Sequence, residues 1–209
     1  VLTSVAGNEK AIGYISLGAL NDTVKAVKVD GAEATVDNVK AGAYKLSRPF
    51  NIATKGEPTG VAKDFISFIL SKEGQAVVTD NKYIAVNDAA ESFVSDGSSG
   101  QIAVGGSSSV SPVMEKLIEA YKSVNPNASI DLQTSDSTSG MTGAMDGTFA
   151  IGMASRELKD EEAAQLTGTA IALDGIAVIV NPANTIDELS MDQIKSIYVG
   201  DITDWGDLA

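Results

Sequence analysis

Serine and threonine hydroxyls in three short stretches are the candidate ligand-binding groups of this chain. The first stretch contains Ser107, Ser108 and Ser109, the second covers residues 134–140 (TSDSTSG), and the third contains Ser155. Hydroxyls and the unpaired N–H groups at a helix start both donate hydrogen bonds to small oxyanions. The three stretches together favour binding of a small oxyanion.

Each hydroxyl stretch follows a predicted short strand, indicated by apolar runs at residues 102–104 and 149–154 and by alternation at residues 128–133. In an open α/β sheet, ligands bind at the carboxyl ends of the strands, so we expect the three loops to lie together. A helix is predicted after the first loop, with Ser111 as N-cap and Pro112 at the first helical position. A second helix is predicted over residues 141–146.

The first loop taken alone leaves a second interpretation open. Turns between a strand and a helix are often rich in Gly and Ser for steric reasons, without any ligand. The loop also lacks the lysine of a P-loop and the G-x-G-x-x-G spacing of a dinucleotide site. The convergence of three loops is therefore the stronger argument for an anion site.

The composition excludes several classes of function. The chain has 209 residues, a formal net charge of −13 and a pI near 4.3, which argues against nucleic acid or an anionic membrane as a partner. It contains no Cys and no His, which removes thiol and Ser-His catalysis and the usual zinc sites. Asp201, Asp204 and Asp207 lack the EF-hand spacing. We expect no enzyme activity, no metal and no cofactor.

Longer motifs are shared with one family of binding proteins. They are GGSSSVSPVMEKLIEAY, SDSTSG, FAIGMASREL, DGIAVIVNP, GDITDW, NEKAIGYISLG and FISFILSKEGQAV. In these motifs the chain resembles the PstS-type phosphate-binding protein of the bacterial phosphate ABC transporter, over nearly its whole length apart from residues 87–101. The order is rotated, because in that family GGSSSVSP opens the mature protein and FILSKEGQAV closes it. This order resembles an engineered circular permutant, and a slice across two tandem binding domains is the alternative.

The resemblance implies a fold and a domain organisation. The fold would be α/β, the two-lobed type II periplasmic-binding-protein fold, circularly permuted and with an incomplete second lobe. Lobe 1 would be contiguous over residues 52–170, with residues 87–101 as a linker that joins the family's original termini. Lobe 2 would combine residues 1–51 with residues 171–209.

The resemblance also implies a function and a site. The chain would bind inorganic phosphate outside the cytoplasm, as a periplasmic protein or a cell-surface lipoprotein, and deliver it to the membrane subunits of an ABC permease. The implied phosphate-binding residues are Ser108, Ser109, Val110 through its amide, Ser137, Ser139, Ser155 and Arg156. For Arg156 a surface salt bridge with Glu157, Asp160 or Glu161 is the alternative.

Two departures from the family pattern affect the implied site. Some relatives carry Ser-Asp on the third loop, with the carboxylate accepting the phosphate proton, where this chain has Ser155 and Arg156. The proton acceptor and the discrimination against sulfate are therefore unassigned. The family segment R-x-x-G-S-G-T is not found in these residues, so lobe 2 is expected to lack a strand, a helix and half of the ligand contacts.

Three functions follow from these observations. The first is a phosphate-binding protein for uptake. The second is a permuted or split binding-protein scaffold with weak or no phosphate binding, self-associating as a homo-oligomer or swapped dimer through the incomplete lobe. The third is a Ser-Lys hydrolase or a phosphatase, which the absence of His and of a nucleophile elbow makes the weakest of the three.

Overall fold

The computed structural model describes residues 1–208 of the chain. The strands, in chain order, are β1 (Ile12–Ser16), β2 (Lys25–Ala26), β3 (Lys28–Val29), β4 (Ser47–Thr54), β5 (Gly100–Ser107), β6 (Ala128–Ser135), β7 (Ile151–Ala154), β8 (Thr167–Val180) and β9 (Glu188–Leu189). The helices are α1 (Leu2–Ala6), α2 (Val36–Lys40), α3 (Gly60–Leu70), α4 (Lys72–Asp80), α5 (Ser111–Val124), α6 (Ser137–Asp146), α7 (Asp160–Ala163) and α8 (Met191–Val199). Leu17–Ala19 and Trp205–Leu208 form 3-10 turns.

The chain divides into two compact units. One is contiguous, Arg48–Leu173, and the other combines Val1–Ser47 with Asp174–Ala209. We call them the contiguous unit and the discontinuous unit. The contiguous unit begins at residue 48 and ends at residue 173, against the limits of 52 and 170 that the resemblance implied for lobe 1.

The contiguous unit is built on a sheet with the strand order β4-β7-β5-β6. β7, β5 and β6 run parallel, and β4 is antiparallel to β7. In the register of the parallel strands Ser107 lies opposite Ser135, and Gly106 lies opposite both Thr134 and Met153. The carboxyl ends of these three strands therefore lie at one edge of the sheet, as the sequence predicted.

β7 is buried on both faces of this sheet, to which its successive side chains point in alternation. Ile151 and Met153 of β7 join a core cluster with apolar residues of α3, α4 and α5. Ala154 instead packs with Met141 and Ala144 of α6 in a second cluster. The sheet is thus a layer between helices, and α6 is the helix on its second face that starts beside the hydroxyl loops.

The segment predicted as a linker is packed against the contiguous unit. β5 begins at Gly100, so its first two residues belonged to the predicted linker. Upstream of them, the Phe93 N–H donates to Glu73 at 2.7 Å, and the Phe93 ring lies 5.3 Å from that of Phe68 between centroids. The polar, turn-forming composition of residues 87–101 favours a linker and does not specify these distant partners.

The discontinuous unit is organised around the second part of β8. β1 pairs antiparallel with it, from Ile12 opposite Val180 to Ser16 opposite Ile176, and β2 pairs with its last residues. β3 and β9 form a separate parallel pair. Residues 24–29 contain the two short strands β2 and β3, and residues 171–180 lie within the single strand β8.

Candidate functional site

The first hydroxyl loop connects β5 to α5. The Val110 N–H donates to the Ser107 carbonyl at 3.0 Å, and this turn makes Val110 the N-cap residue of α5. The predicted N-cap, Ser111, is the first helical residue, and its hydroxyl bonds to the Ser107 carbonyl at 3.2 Å and to Thr134 Oγ1 at 2.8 Å. No side chain caps α5, Pro112 has no N–H, and the Met114 N–H donates to the Val110 carbonyl at 3.0 Å. Ser111 and Val113 therefore carry the first-turn N–H groups for which the helix itself offers no acceptor.

The second hydroxyl loop is shorter than predicted because α6 starts at Ser137 instead of residue 141. Asp136 is the N-cap, and its Oδ1 accepts the N–H groups of Thr138 at 2.8 Å and Ser139 at 3.0 Å. Hydrogen bonds from the Ser139 backbone and hydroxyl hold the pKa of the Asp136 carboxyl below its ordinary value. The sequence did carry a signal for this cap, since Asp directly before a helix is a preferred N-cap residue.

The start of α6 approaches the sheet closely because two glycines face each other. A Cβ on Gly140 would lie 2.7 Å from the Gly106 Cα and 2.6 Å from the Met153 carbonyl oxygen. Gly106 itself has φ of +136°, a backbone conformation that favours glycine. This contact brings the first turn of α6 onto the carboxyl ends of β5 and β7.

The third loop joins the second through a hydrogen bond from the Ser155 N–H to the Ser137 hydroxyl, at 3.1 Å. Because Ser137 Oγ is the acceptor there, its own proton is left to donate elsewhere. The Ser139 hydroxyl is different, since it donates its proton to Asp136 Oδ2 at 2.7 Å. Of Ser137 and Ser139, Ser137 is therefore the better donor to an anion.

The structure brings the loops of the predicted residues together within the contiguous unit. The Ser108 N–H donates to the Ser135 carbonyl at 3.0 Å, which joins the first loop to the second. The Ser108 side chain is exposed, and Ser109 is half-buried. Val110 is buried and its N–H is engaged with Ser107, so its amide is not a free donor in this structure.

Arg156 is paired with a carboxylate that the sequence did not single out. Its guanidinium donates from Nη1 and Nη2 to the two Glu162 oxygens, at 2.7 and 2.8 Å. The predicted salt-bridge partners Glu157, Asp160 and Glu161 were wrong, because α7 turns Glu162 inward to 2% exposure. The pair is half-buried on the Arg156 side and buried on the other, so it is not a surface salt bridge.

The site offers dipoles rather than net charge. Arg156 is matched by Glu162, and the capping carboxylate of Asp136 is negative. Within residues 1–208, no group of three or more His, Cys, Asp or Glu side chains is arranged to hold a metal ion. An anion at this edge would be bound by hydroxyls and by the first-turn amides of α5, which are the donors that remain.

Comparison with known proteins identifies relatives of this arrangement. The family model of the PBP superfamily domain matches residues 92–209. Phosphate-binding protein PstS 2 of Streptococcus agalactiae serotype V is 52% identical over 211 residues, covering 100% of this chain and 72% of that protein. PstS 2 of Streptococcus pneumoniae serotype 4 is 49% identical over 205 residues, covering 98% of this chain and 70% of that protein.

A solved structure agrees with these sequence matches. The crystal structure of the phosphate-binding protein of a phosphate ABC transporter from Streptococcus pneumoniae TIGR4 has a TM-score of 0.92 and 48% identity, covering 100% of this chain and 81% of that chain. Since the Streptococcus agalactiae relative aligns along the whole of this chain, it carries the motifs in the same order, and that order needs no engineered rearrangement. The chain belongs to the family of PstS-type phosphate-binding proteins.

Proposed function

We propose that this chain binds inorganic phosphate through the hydroxyl loops of its contiguous unit, for uptake by an ABC transporter. The observation that carries the proposal is the convergence of these loops at the carboxyl ends of three adjacent parallel strands. Relatives at 49–52% identity are named phosphate-binding proteins, so phosphate is the anion that we propose for this site.

The donors of the proposed site are hydroxyls and helix-start amides. The Ser109 and Ser137 hydroxyls are half-buried, where a hydrogen bond to an anion competes less with water. The Ser137 hydroxyl accepts the Ser155 N–H and keeps its own proton, and the Ser109 N–H donates to the Ser107 hydroxyl at 3.3 Å, which joins Ser109 to the first loop. Ser108 and Ser155 supply further hydroxyls at the same edge, and the amides of the first turn of α5 complete the set.

The proposal is tested by calorimetric titration of the phosphate-stripped chain with phosphate, with sulfate as the competing tetrahedral anion. Ser109→Ala and Ser137→Ala are each expected to weaken phosphate binding about 10-fold or more, because a hydrogen bond to a charged group contributes about 1.5–3 kcal/mol. Ser139→Ala is expected to weaken it less, since that hydroxyl already donates to Asp136.

The matched control is Ser123→Ala, which removes an exposed hydroxyl near the other end of α5. It should leave phosphate affinity unchanged. Equal phosphate affinity in the unmodified chain, Ser109→Ala and Ser137→Ala would overturn the site. No saturable heat from the folded, unmodified chain would overturn the function.

We further propose that the chain works outside the cytoplasm and as a binding protein rather than an enzyme. Its relatives are named as components of phosphate ABC transport, and the chain has neither His nor Cys. Among residues 1–208, none of the helices has the length and apolar character needed to cross a bilayer. Delivery of phosphate to the membrane subunits of the permease is part of the same proposal.

A second proposal concerns self-association through the discontinuous unit. Tyr14 of β1 is 59% exposed, and Tyr198 and Val199 at the end of α8 are 45% and 63% exposed. The two tyrosine rings are in edge contact, with centroids 5.6 Å apart. Among the described residues β1 pairs only with β8, so its other edge offers backbone groups to a second strand.

A further inference from the structure

The ion pair of Arg156 and Glu162 makes several hydrogen bonds that the phosphate site proposed above does not use. A carboxylate that is 2% exposed is costly unless it is paired and hydrogen-bonded. Both Glu162 oxygens accept from the Arg156 guanidinium, and Oε2 also accepts the Lys159 N–H at 2.8 Å. Such a fork-to-fork pair has a fixed geometry as well as a favourable energy.

The same guanidinium reaches the start of α6. Its Nη2 lies 3.4 Å from Thr138 Oγ1, and its Nη1 donates to the Glu157 carbonyl at 2.9 Å. Thr138 stands between Ser137 and Ser139 in the first turn of the helix. The guanidinium therefore connects α7, the loop after β7 and the helix turn that carries Ser137.

The charge of Arg156 is balanced inside the pair. The hydrogen bond from Arg156 holds the pKa of the Glu162 carboxyl below its ordinary value of 4.5, and the bond to Glu162 raises the pKa of Arg156. Both groups are ionised at neutral pH, so their formal charges cancel. An anion nearby gains little Coulombic attraction from such a neutralised pair.

Resting on the phosphate function proposed above, we propose that Glu162 is a positioning residue, which acts through Arg156 and Thr138 to fix the first turn of α6 for phosphate. In this arrangement Arg156 connects Glu162 to Thr138 through its guanidinium and does not supply the positive charge that binds the anion. The Ser137 hydroxyl accepts the Ser155 N–H at 3.1 Å, so a shift of that turn moves the donor directly.

The decisive variant is Glu162→Gln, which keeps the size of the side chain and removes its charge. Loss of these contacts should weaken phosphate binding about 10-fold, which is the lower end of the loss in metal affinity when a residue that orients a metal ligand is removed. If Arg156 were instead the counter-charge of the anion, the same substitution would release a positive charge and tighten binding. The two roles thus predict changes of opposite sign. Glu161→Gln, an exposed neighbour on α7, is the matched control.

A second variant distinguishes loss of positioning from loss of stability. Thr138→Val removes the exposed hydroxyl that contacts Arg156 and retains the side-chain shape. It should weaken phosphate binding in the same direction as Glu162→Gln, with an unchanged thermal midpoint. A merely structural role for the pair would lower the midpoint of Glu162→Gln and leave phosphate affinity unchanged in both variants.

The outcomes separate this inference from the function on which it rests. Tighter phosphate binding by Glu162→Gln overturns the positioning role, and so does unchanged binding in both variants. In either case phosphate binding by the unmodified chain still supports the proposed function. An unmodified chain that binds no phosphate overturns the function and the inference together.

Discussion

At the scale of single residues, the direction of each hydroxyl proton decides which serines can bind an anion. Ser137 and Ser139 are two positions apart on α6 and have the same side chain. Ser137 accepts a hydrogen bond and keeps its proton, whereas Ser139 gives its proton to Asp136. The bond from Ser139 to Asp136 is local to the cap, whereas the bond to Ser137 comes from Ser155 at another strand end, and spacing along the sequence does not specify that second contact.

A single glycine holds this geometry in place. We expect Gly140→Ala to destabilise the chain by about 1–3 kcal/mol, because its Cβ would lie 2.6 Å from the Met153 carbonyl oxygen and 2.7 Å from the Gly106 Cα. The strain can be relieved only by moving α6 off the sheet, so phosphate affinity should fall too. Urea unfolding and calorimetry measure the two effects.

The control for this substitution is Thr142→Ala, at an exposed position on the same helix. It should change neither stability nor affinity measurably. Full stability of Gly140→Ala would show that the close approach of α6 and the sheet is not needed.

At the scale of elements, the segment before β5 is held by one buried carboxylate on α3. Asp64 Oδ2 accepts from the Tyr121 hydroxyl at 2.7 Å, from Ser95 Oγ at 2.7 Å and from the Asn125 amide at 3.1 Å. Its Oδ1 accepts the Asp96 N–H at 2.9 Å. Two helices and the predicted linker therefore meet at a single side chain.

The balance of these contacts sets the pKa of Asp64. Burial alone would raise the pKa of this carboxyl, but the hydrogen bonds, first among them that from the Asp96 N–H, lower it below its ordinary value of 3.8. A carboxyl whose pKa is lower in the folded chain than in the unfolded chain stabilises the fold at any pH above the unfolded-state pKa. This contribution is lost as the pH falls through the folded-state pKa.

We expect Asp64→Asn to lose about 1.5–3 kcal/mol of stability at pH 7, the value of a hydrogen bond to a charged group. The difference from the unmodified chain should narrow as the pH falls from 3.8 through the lower folded pKa, because the carboxyl is protonated first in the unfolded chain and then in the folded chain. Urea unfolding at several pH values measures it, and limited proteolysis reports release of residues 91–99.

Asp80→Asn, an exposed change at the end of α4, is the control and should alter neither measurement. A loss for Asp64→Asn that stays constant from about pH 7 down to the lowest pH at which the unmodified chain remains folded would show that the charge of Asp64 does not hold the segment.

At the scale of the whole molecule, two different uses of exposed surface are expected. The hydroxyl edge of the contiguous unit is polar and suits a small hydrated anion. The surface around Tyr14, Tyr198 and Val199 of the discontinuous unit is apolar and includes β1, which within residues 1–208 pairs with β8 alone. Exposed apolar surface beside an open strand edge is a common route to association between chains.

We therefore expect the unmodified chain to self-associate as its concentration rises, and Tyr14→Thr combined with Tyr198→Gln to shift it toward the monomer. Multi-angle light scattering across a concentration series measures the change. Val94→Ser removes an exposed apolar side chain elsewhere and should have no effect. A monomer at every concentration tested would exclude this surface as a contact between copies.

Several helix boundaries could be predicted from the sequence because their signals are local. Ser71 caps α4 by accepting the Gly74 N–H, and Ser190 caps α8 by accepting the Gln193 N–H. α5 departs from this pattern, since Ser111 bonds instead to Thr134, a residue of the neighbouring strand. A local signal is overridden where a distant residue competes for the same hydroxyl.

The residue types that could bind an oxyanion, and the strands that their loops follow, are predictable from the sequence. Apolar runs, turn residues and family motifs suffice for that, because they act over a few neighbouring residues. The pairing of Glu162 with Arg156, the contacts of Asp64 with residues 95 and 96, and the free proton of Ser137 become visible once the chain is folded. Each of these depends on which buried polar group finds its partner across the fold, and local spacing does not specify that.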